Sequence, residues 1–114
     1  MHDCLFCKII AGTVPATKVY EDGSVLAIRD INPLADTHVL VMPKIHIEKA
    51  GDLTFETAPL AGHCMSAIAE IARNEGIEDY CVVVNSGAKA GQSVPHLHFH
   101  LLSPFNSQER LLYR

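Results

Sequence analysis

The sequence predicts an α+β fold: an antiparallel five-stranded sheet with one long and one short helix. Three observations point there. Five short runs rich in apolar and β-branched residues are set apart by Gly, Pro, Asn and Asp. One long stretch carries apolar residues at helical spacing. The runs follow one another mostly as hairpins rather than alternating with helices, which favours antiparallel pairing.

The elements are expected in this order. Leu5 to Ile10 is a short apolar segment ended by Gly12, read as a brief helix. Lys18 to Glu21 and Val25 to Arg29 are strands joined by the turn pair Asp22-Gly23. Ile31 to Asp36 is a loop with Asn32-Pro33 in it. His38 to Met42 is an apolar strand stopped by Pro43. The main helix runs from Thr57 to Glu75, with Thr57 placed to cap it and Pro59 in its first turn. Leu60, Cys64, Ile68, Ile71 and Ala72 share one face of it, and Gly76 is its stop. Tyr80 to Val84 and Leu97 to Leu102 are the last strands, separated by a loop carrying Gly87 and Gly91.

The chain of 114 residues fits one domain, residues 1–114, with no repeat or linker. Its 9 Lys and Arg against 13 Asp and Glu give a net charge of -4. Without a basic run, nucleic acid is excluded as the main partner. A single phosphate can still be held by local amides and imidazoles. No segment reaches the roughly 18 apolar residues of a membrane span, and the start lacks the pattern of a secretory leader. The expected location is therefore the cytoplasm. There, Cys4 and Cys7 read as a metal pair, a redox pair or core thiols rather than a structural disulfide. Cys64 and Cys81 read as small hydrophobes. His63 reads as a surface helix residue and His2 as a loose terminus.

The most informative run is His96-Leu97-His98-Phe99-His100. Alternate side chains of a strand share a face, so the three imidazoles line one side and Leu97, Phe99 and Leu101 the other. Successive imidazoles would stand about 6.5 to 7 Å apart. Three readings are open: a polar sheet face, a zinc site, or nucleophilic catalysis by a ring that is largely neutral near pH 7. The spacing does not choose between the last two.

The run His96-Leu97-His98-Phe99-His100-Leu101-Leu102 resembles the signature of the histidine-triad family. Gly91-Gln92-Ser93-Val94, His38-Val39-Leu40-Val41-Met42-Pro43-Lys44 and Cys4-Leu5-Phe6-Cys7-Lys8-Ile9-Ile10 extend the likeness over nearly the whole chain, in the family's order. The resemblance is to its Hint-like branch. It implies an enzyme, a purine nucleoside phosphoramidase or related nucleotide hydrolase. His98 would attack the α-phosphate of a nucleotide conjugate, and water would then release the nucleoside monophosphate. In that scheme His100 stabilises developing charge, His38 is a further active-site histidine, and Ser93 assists the leaving group. Asn85, Gly91 and Gln92 match phosphate-side positions, and Asp30 matches a ribose-binding carboxylate. Leu5, Phe6, Ile9, Ile28 and Ile31 match an apolar slot for the base. Taken singly, several of these have plainer roles. His38 would be a hydrogen-bonded core residue, Asp30 a turn former, Ser93 a loop serine, and Phe6 and Ile9 core.

The resemblance also implies a structural zinc ion. Cys4 and Cys7 need two more ligands. Some bacterial histidine-triad proteins complete such a set with residues that correspond here to His46 and His96. Family members pair as homodimers through the long helix and one strand, so a homodimer is implied. The rival functions are a Fhit-like dinucleoside polyphosphate hydrolase, a hydrolase with catalytic zinc held by the triad, and a nucleotide-binding module with little catalysis. The galactose-pathway branch has Gln in place of the third histidine, whereas this chain has His100. The segment from Ser103 to Arg114 departs from the family's usual end.

Overall fold

The computed structural model describes residues 3–104. The expectations for His2 and for the tail after Pro104 lie outside them. The element order is α1 (Leu5–Ile10), β1 (Lys18–Glu21), β2 (Val25–Arg29), β3 (Thr37–Pro43), α2 (Ala58–Asn74), β4 (Cys81–Val83) and β5 (Phe99–Ser103). The strands form one five-stranded sheet in the order β1-β2-β3-β5-β4. Every neighbouring pair is antiparallel. The predicted fold class is the one observed. Short 3₁₀ turns at Ala50–Asp52 and Ala88–Ala90 interrupt the two long connections.

Period-two alternation sorts the strands into two cores. Val25, Ala27, Val39, Val41, Phe99 and Leu101 pack with Cys64, Ala67, Ile68 and Ile71 of α2. Leu26, Ile28, Leu40 and Met42 face the other way, against Cys4, Phe6 and Ile9 around α1. The central strands are therefore buried on both faces. The histidine side of β5 belongs to the α1 face, which leaves His98 4% and His100 3% exposed. A one-sided sheet would have left them wet.

Several boundaries differ from the sequence pattern. β5 begins at Phe99, not Leu97, because the Leu97 N–H donates to the Ile47 carbonyl at 2.6 Å rather than to a strand of the sheet. β4 is trimmed to Cys81–Val83. Thr57 precedes α2 but does not cap it with its side chain. Its hydroxyl instead accepts the Thr54 N–H at 2.9 Å. Gly76 does stop α2: it takes a φ of +71°, and the Ile77 N–H closes back on the Ala72 carbonyl at 2.8 Å. The β1–β2 turn is held by Asp22, whose Oδ1 accepts the N–H groups of Ser24 and Val25, each at 2.8 Å. His63 reaches the same carboxylate from α2 at 2.9 Å, a link across 41 residues with no local signal.

Candidate active site and metal cluster

A cavity of about 330 Å³ lies on the α1 face of the sheet. Hydrocarbon from Leu5, Phe6 and Ile9 of α1, Val14–Ala16 of the following loop, and Ile28 of β2 lines it. Asp30, His38, Ser93, His98 and His100 line it too, with the Phe6 ring 5.0 Å from that of His98. An apolar slot leading to a few convergent polar groups is the usual form of a small-molecule site.

Hydrogen bonds fix the tautomers of these imidazoles. His98 Nδ1–H donates to the His96 carbonyl at 2.7 Å, which leaves the lone pair on Nε2. Burial pushes the His98 imidazole below its usual value of 6.5, against the opposing pull of the His96 carbonyl and the Asp30 carboxylate. His98 is thus a neutral ring with one bare nitrogen, in the wall of a cavity. The Leu34 N–H donates to His38 Nδ1 at 3.1 Å, so a neutral His38 carries its proton on Nε2. That proton faces His100 Nδ1 at 2.9 Å, with Asp30 Oδ2 at 3.5 Å. A neutral His100 then carries its proton on Nε2. One face of the sheet therefore holds a lone-pair donor, His98, beside a proton donor, His100, with ring centroids 5.0 Å apart. The separation is less than the strand repeat alone predicts, and His98 lies just before β5, which begins at Phe99.

His96 turns to a different task. Its Nε2–H donates to the Pro43 carbonyl at 2.8 Å, so Nδ1 carries the lone pair. That nitrogen lies 3.3 Å from Cys4 Sγ, 3.6 Å from Cys7 Sγ and 3.2 Å from His46 Nδ1. Cys7 Sγ is 3.3 Å from His46 Nδ1. Tetrahedral zinc with ordinary Zn–S and Zn–N bonds sets edges of roughly 3.3 to 3.8 Å between its ligand atoms. The four side chains therefore fit a zinc ion, and the His96–Pro43 bond is of the kind that would orient a metal-bound imidazole. Burial and the neighbouring Cys4 raise the Cys7 thiol, opposite to the lowered thiol of a redox pair.

Asp30, His38 and His100 also bring ligand atoms together, but they suit a cation poorly. The Leu34 N–H occupies His38 Nδ1, so metal on Nε2 would have to displace the proton shared with His100.

The other residues singled out from sequence divide in two. Leu5, Phe6, Ile9, Ile28, Asp30, Ile31, His38, Ser93, His98 and His100 all line the cavity. Asp30 also shapes its own turn, accepting the Asn32 N–H at 2.8 Å. Asn85, Gly91 and Gln92 do not line it. Gln92 Nε2 donates to the Glu48 and Val94 carbonyls, at 2.7 and 2.9 Å. Its Oε1 accepts the Gly87 N–H at 2.8 Å. Asn85 donates to the Ala90 carbonyl at 2.8 Å, and Gly91 takes a φ of +92°. In this conformation the three build the loop that carries Ser93. Sequence reasoning missed Val14, Pro15 and Ala16, which enter the cavity from a segment with no periodic pattern.

Comparison with known proteins places the fold among relatives. Protein HitA of Neisseria gonorrhoeae is 42% identical over 103 residues, covering 90% of this chain and 96% of that protein. The 14 kDa zinc-binding protein of Zea mays is 44% identical over 104 residues, covering 86% and 79%. The crystal structure of a HIT family hydrolase from Legionella pneumophila Philadelphia 1 superposes with a TM-score of 0.87 at 40% identity, covering 91% of this chain and 95% of that one. The HIT domain model matches residues 11–107, and on that extent of match the chain belongs to the HIT domain family.

Proposed function

We propose that this protein is a Hint-like hydrolase of purine nucleoside phosphoramidates. The observation that carries this reading is the His98 ring, neutral, with Nδ1 tied to a carbonyl and a bare Nε2, in the wall of a cavity lined largely by apolar side chains. The solved relative described as a hydrolase supports the reaction class.

The base lies among Leu5, Phe6, Ile9, Ile28 and Ile31, and the ribose hydroxyls meet Asp30. His98 Nε2 attacks the α-phosphorus. A nitrogen–phosphorus bond to His98 forms as the bond to the leaving amine breaks, and the amine takes a proton with help from Ser93. His100 Nε2–H faces the phosphoryl oxygens and offsets their growing charge. The bond between His38 and His100 keeps that proton on the useful nitrogen. Water then attacks phosphorus, the bond to His98 breaks, and nucleoside monophosphate leaves with the oxygen from water. Asn85, Gly91 and Gln92 serve by shaping the Ser93 loop.

Cys4, Cys7, His46 and His96 would hold a zinc ion of the zinc-binding bacterial type; when bound it fastens the N-terminal segment to the sheet and takes no part in catalysis. The relative described as zinc-binding supports the metal. We read the chain as one domain that pairs as a homodimer in the cytoplasm. Among the described residues no helix is long and apolar enough to cross a membrane.

The test is hydrolysis of an adenosine phosphoramidate, with AMP release followed by chromatography. His98→Ala should lower turnover by at least about 10³-fold, as removal of a covalent nucleophile does. Near-normal turnover by that variant defeats the assignment. Faster cleavage of a diadenosine polyphosphate would move the protein to the Fhit-like alternative. AMP binding with no turnover of either substrate would make it a binding module.

A further inference from the structure

The thiol–imidazole cluster and the nucleotide cavity share one short helix. Cys4 caps α1, its Sγ accepting the Cys7 N–H at 3.3 Å, and both sulfurs belong to the cluster. Leu5, Phe6 and Ile9 of the same helix line the cavity. A helix of 6 residues is too short to hold its shape alone, so its anchors decide where the cavity wall stands.

Phe6 lies between the two sites. Its ring meets His96 edge-on, centroids 5.9 Å apart at 72°, and meets His98 in the same way at 5.0 Å and 88°. The backbone supplies a parallel path. His96 is held by the cluster through its ring, and its carbonyl accepts the His98 Nδ1–H. Whatever fixes His96 and α1 therefore also sets the apolar wall and the His98 ring.

We propose that the cluster and the cavity are thermodynamically linked through α1, with Phe6 as the positioning residue: zinc closing the cluster tightens nucleotide binding, and bound nucleotide tightens zinc. The linkage rests on the zinc and nucleotide readings above. It makes the metal a regulator of the site as well as a fastener, so loss of zinc would release the nucleotide.

Linkage is reciprocal, so the same factor must appear from both sides. AMP affinity is measured by calorimetry on zinc-loaded and zinc-stripped full-length protein. Zinc affinity is measured by competition with a chromophoric chelator, with and without saturating AMP. The expected factor is about 5- to 150-fold in each direction. Phe6→Leu keeps a hydrocarbon wall but loses the ring contacts. It should still take up one zinc, bind AMP more weakly with and without zinc because Phe6 also lines the cavity, and show a smaller factor than the unaltered chain, the remainder passing through the His96 backbone. An unchanged factor in Phe6→Leu overturns Phe6 as the positioning residue and with it the proposal as stated, including the case in which stripping merely unfolds the chain. Zinc and AMP binding independently of each other overturns the linkage and leaves both earlier readings standing. A protein that takes up no zinc overturns the metal reading and the linkage with it. One that takes up zinc but binds no AMP overturns the nucleotide reading.

Discussion

At the scale of single residues, the site is an arrangement of proton positions. His98 presents a lone pair because its other nitrogen is tied to the His96 carbonyl. Protonating Nε2 would abolish the nucleophile we propose, and burial lowers the pKa of that ring. The acid limb of the kcat/KM profile should therefore fall below the 6.5 of an ordinary imidazole; a midpoint above that value would contradict the buried neutral ring. The same shift bears on stability. A histidine whose folded pKa lies below its unfolded one binds fewer protons when folded, so stability rises with pH across that window. Its contribution is complete above about pH 6.5 and declines as the solution is acidified. Asp22 acts in the same sense lower down. Hydrogen bonds from Tyr20, Ser24, His63 and Val25 hold its carboxyl well below the usual range, so its contribution is present above about pH 4 and fades beneath it. Urea titrations at pH 7.5, 5.5 and 3.5 should show two successive losses. The alternation of His96, His98 and His100 was legible in the sequence, because strand parity depends on spacing alone. The tautomers were not, because Leu34, Pro43 and the His96 carbonyl act through backbone atoms whose positions no side-chain pattern records.

Among the elements, those defined by local pattern were read well. α1, β1 and β2 have the predicted bounds, and α2 differs by one residue at each end. Errors arose where a distant partner competed with local preference. Leu97 belongs by composition to a strand, yet its N–H goes to Ile47, and this pairing brings His46 beside His96. Thr57 has the chemistry of a cap but is engaged by Thr54. The loop from Val14 to Ala16 enters the cavity through tertiary placement, which spacing cannot reveal. The packing of α2 gives a prediction at this scale. Ile68 is fully buried among β-strand residues of the α2 face. Ile68→Ala should cost about 2 to 5 kcal/mol in chemical denaturation, with the cavity chemistry retained, since the sheet separates α2 from the histidines.

For the whole molecule, the feature that matters most is the sheet edge. β4 is an edge strand of 3 residues, all half-buried, flanked by Tyr80 and Val84, which are 37% and 40% exposed. Short edge strands are either blunted or paired with another chain. The homodimer we propose would cover this edge together with α2, where Met65 is 43% exposed. Light scattering at micromolar concentration should give twice the 12.5 kDa chain mass; a monomer mass would remove the pairing. Fold class was legible at this scale because hairpin order and one long helix leave few architectures. The pairing of copies was implied only by family resemblance.

The odd-and-even sorting along His98 to Leu101 ties the aim of the cavity imidazoles to folding. Phe99 and Leu101 face α2 while His98 and His100 face the cavity, and the β3–β5 register sets Leu40 opposite His100 and Val41 opposite Phe99. A slip of one residue would drive imidazoles into the greasy interior and strand aromatic and aliphatic groups in the cleft. Misaligned folding therefore cannot yield a stable chain with its imidazoles turned away from the cavity. Any selection that preserves the hydrocarbon interior also keeps these two rings aimed at the cavity, and an insertion or deletion in this strand should register as lost solubility before any other loss.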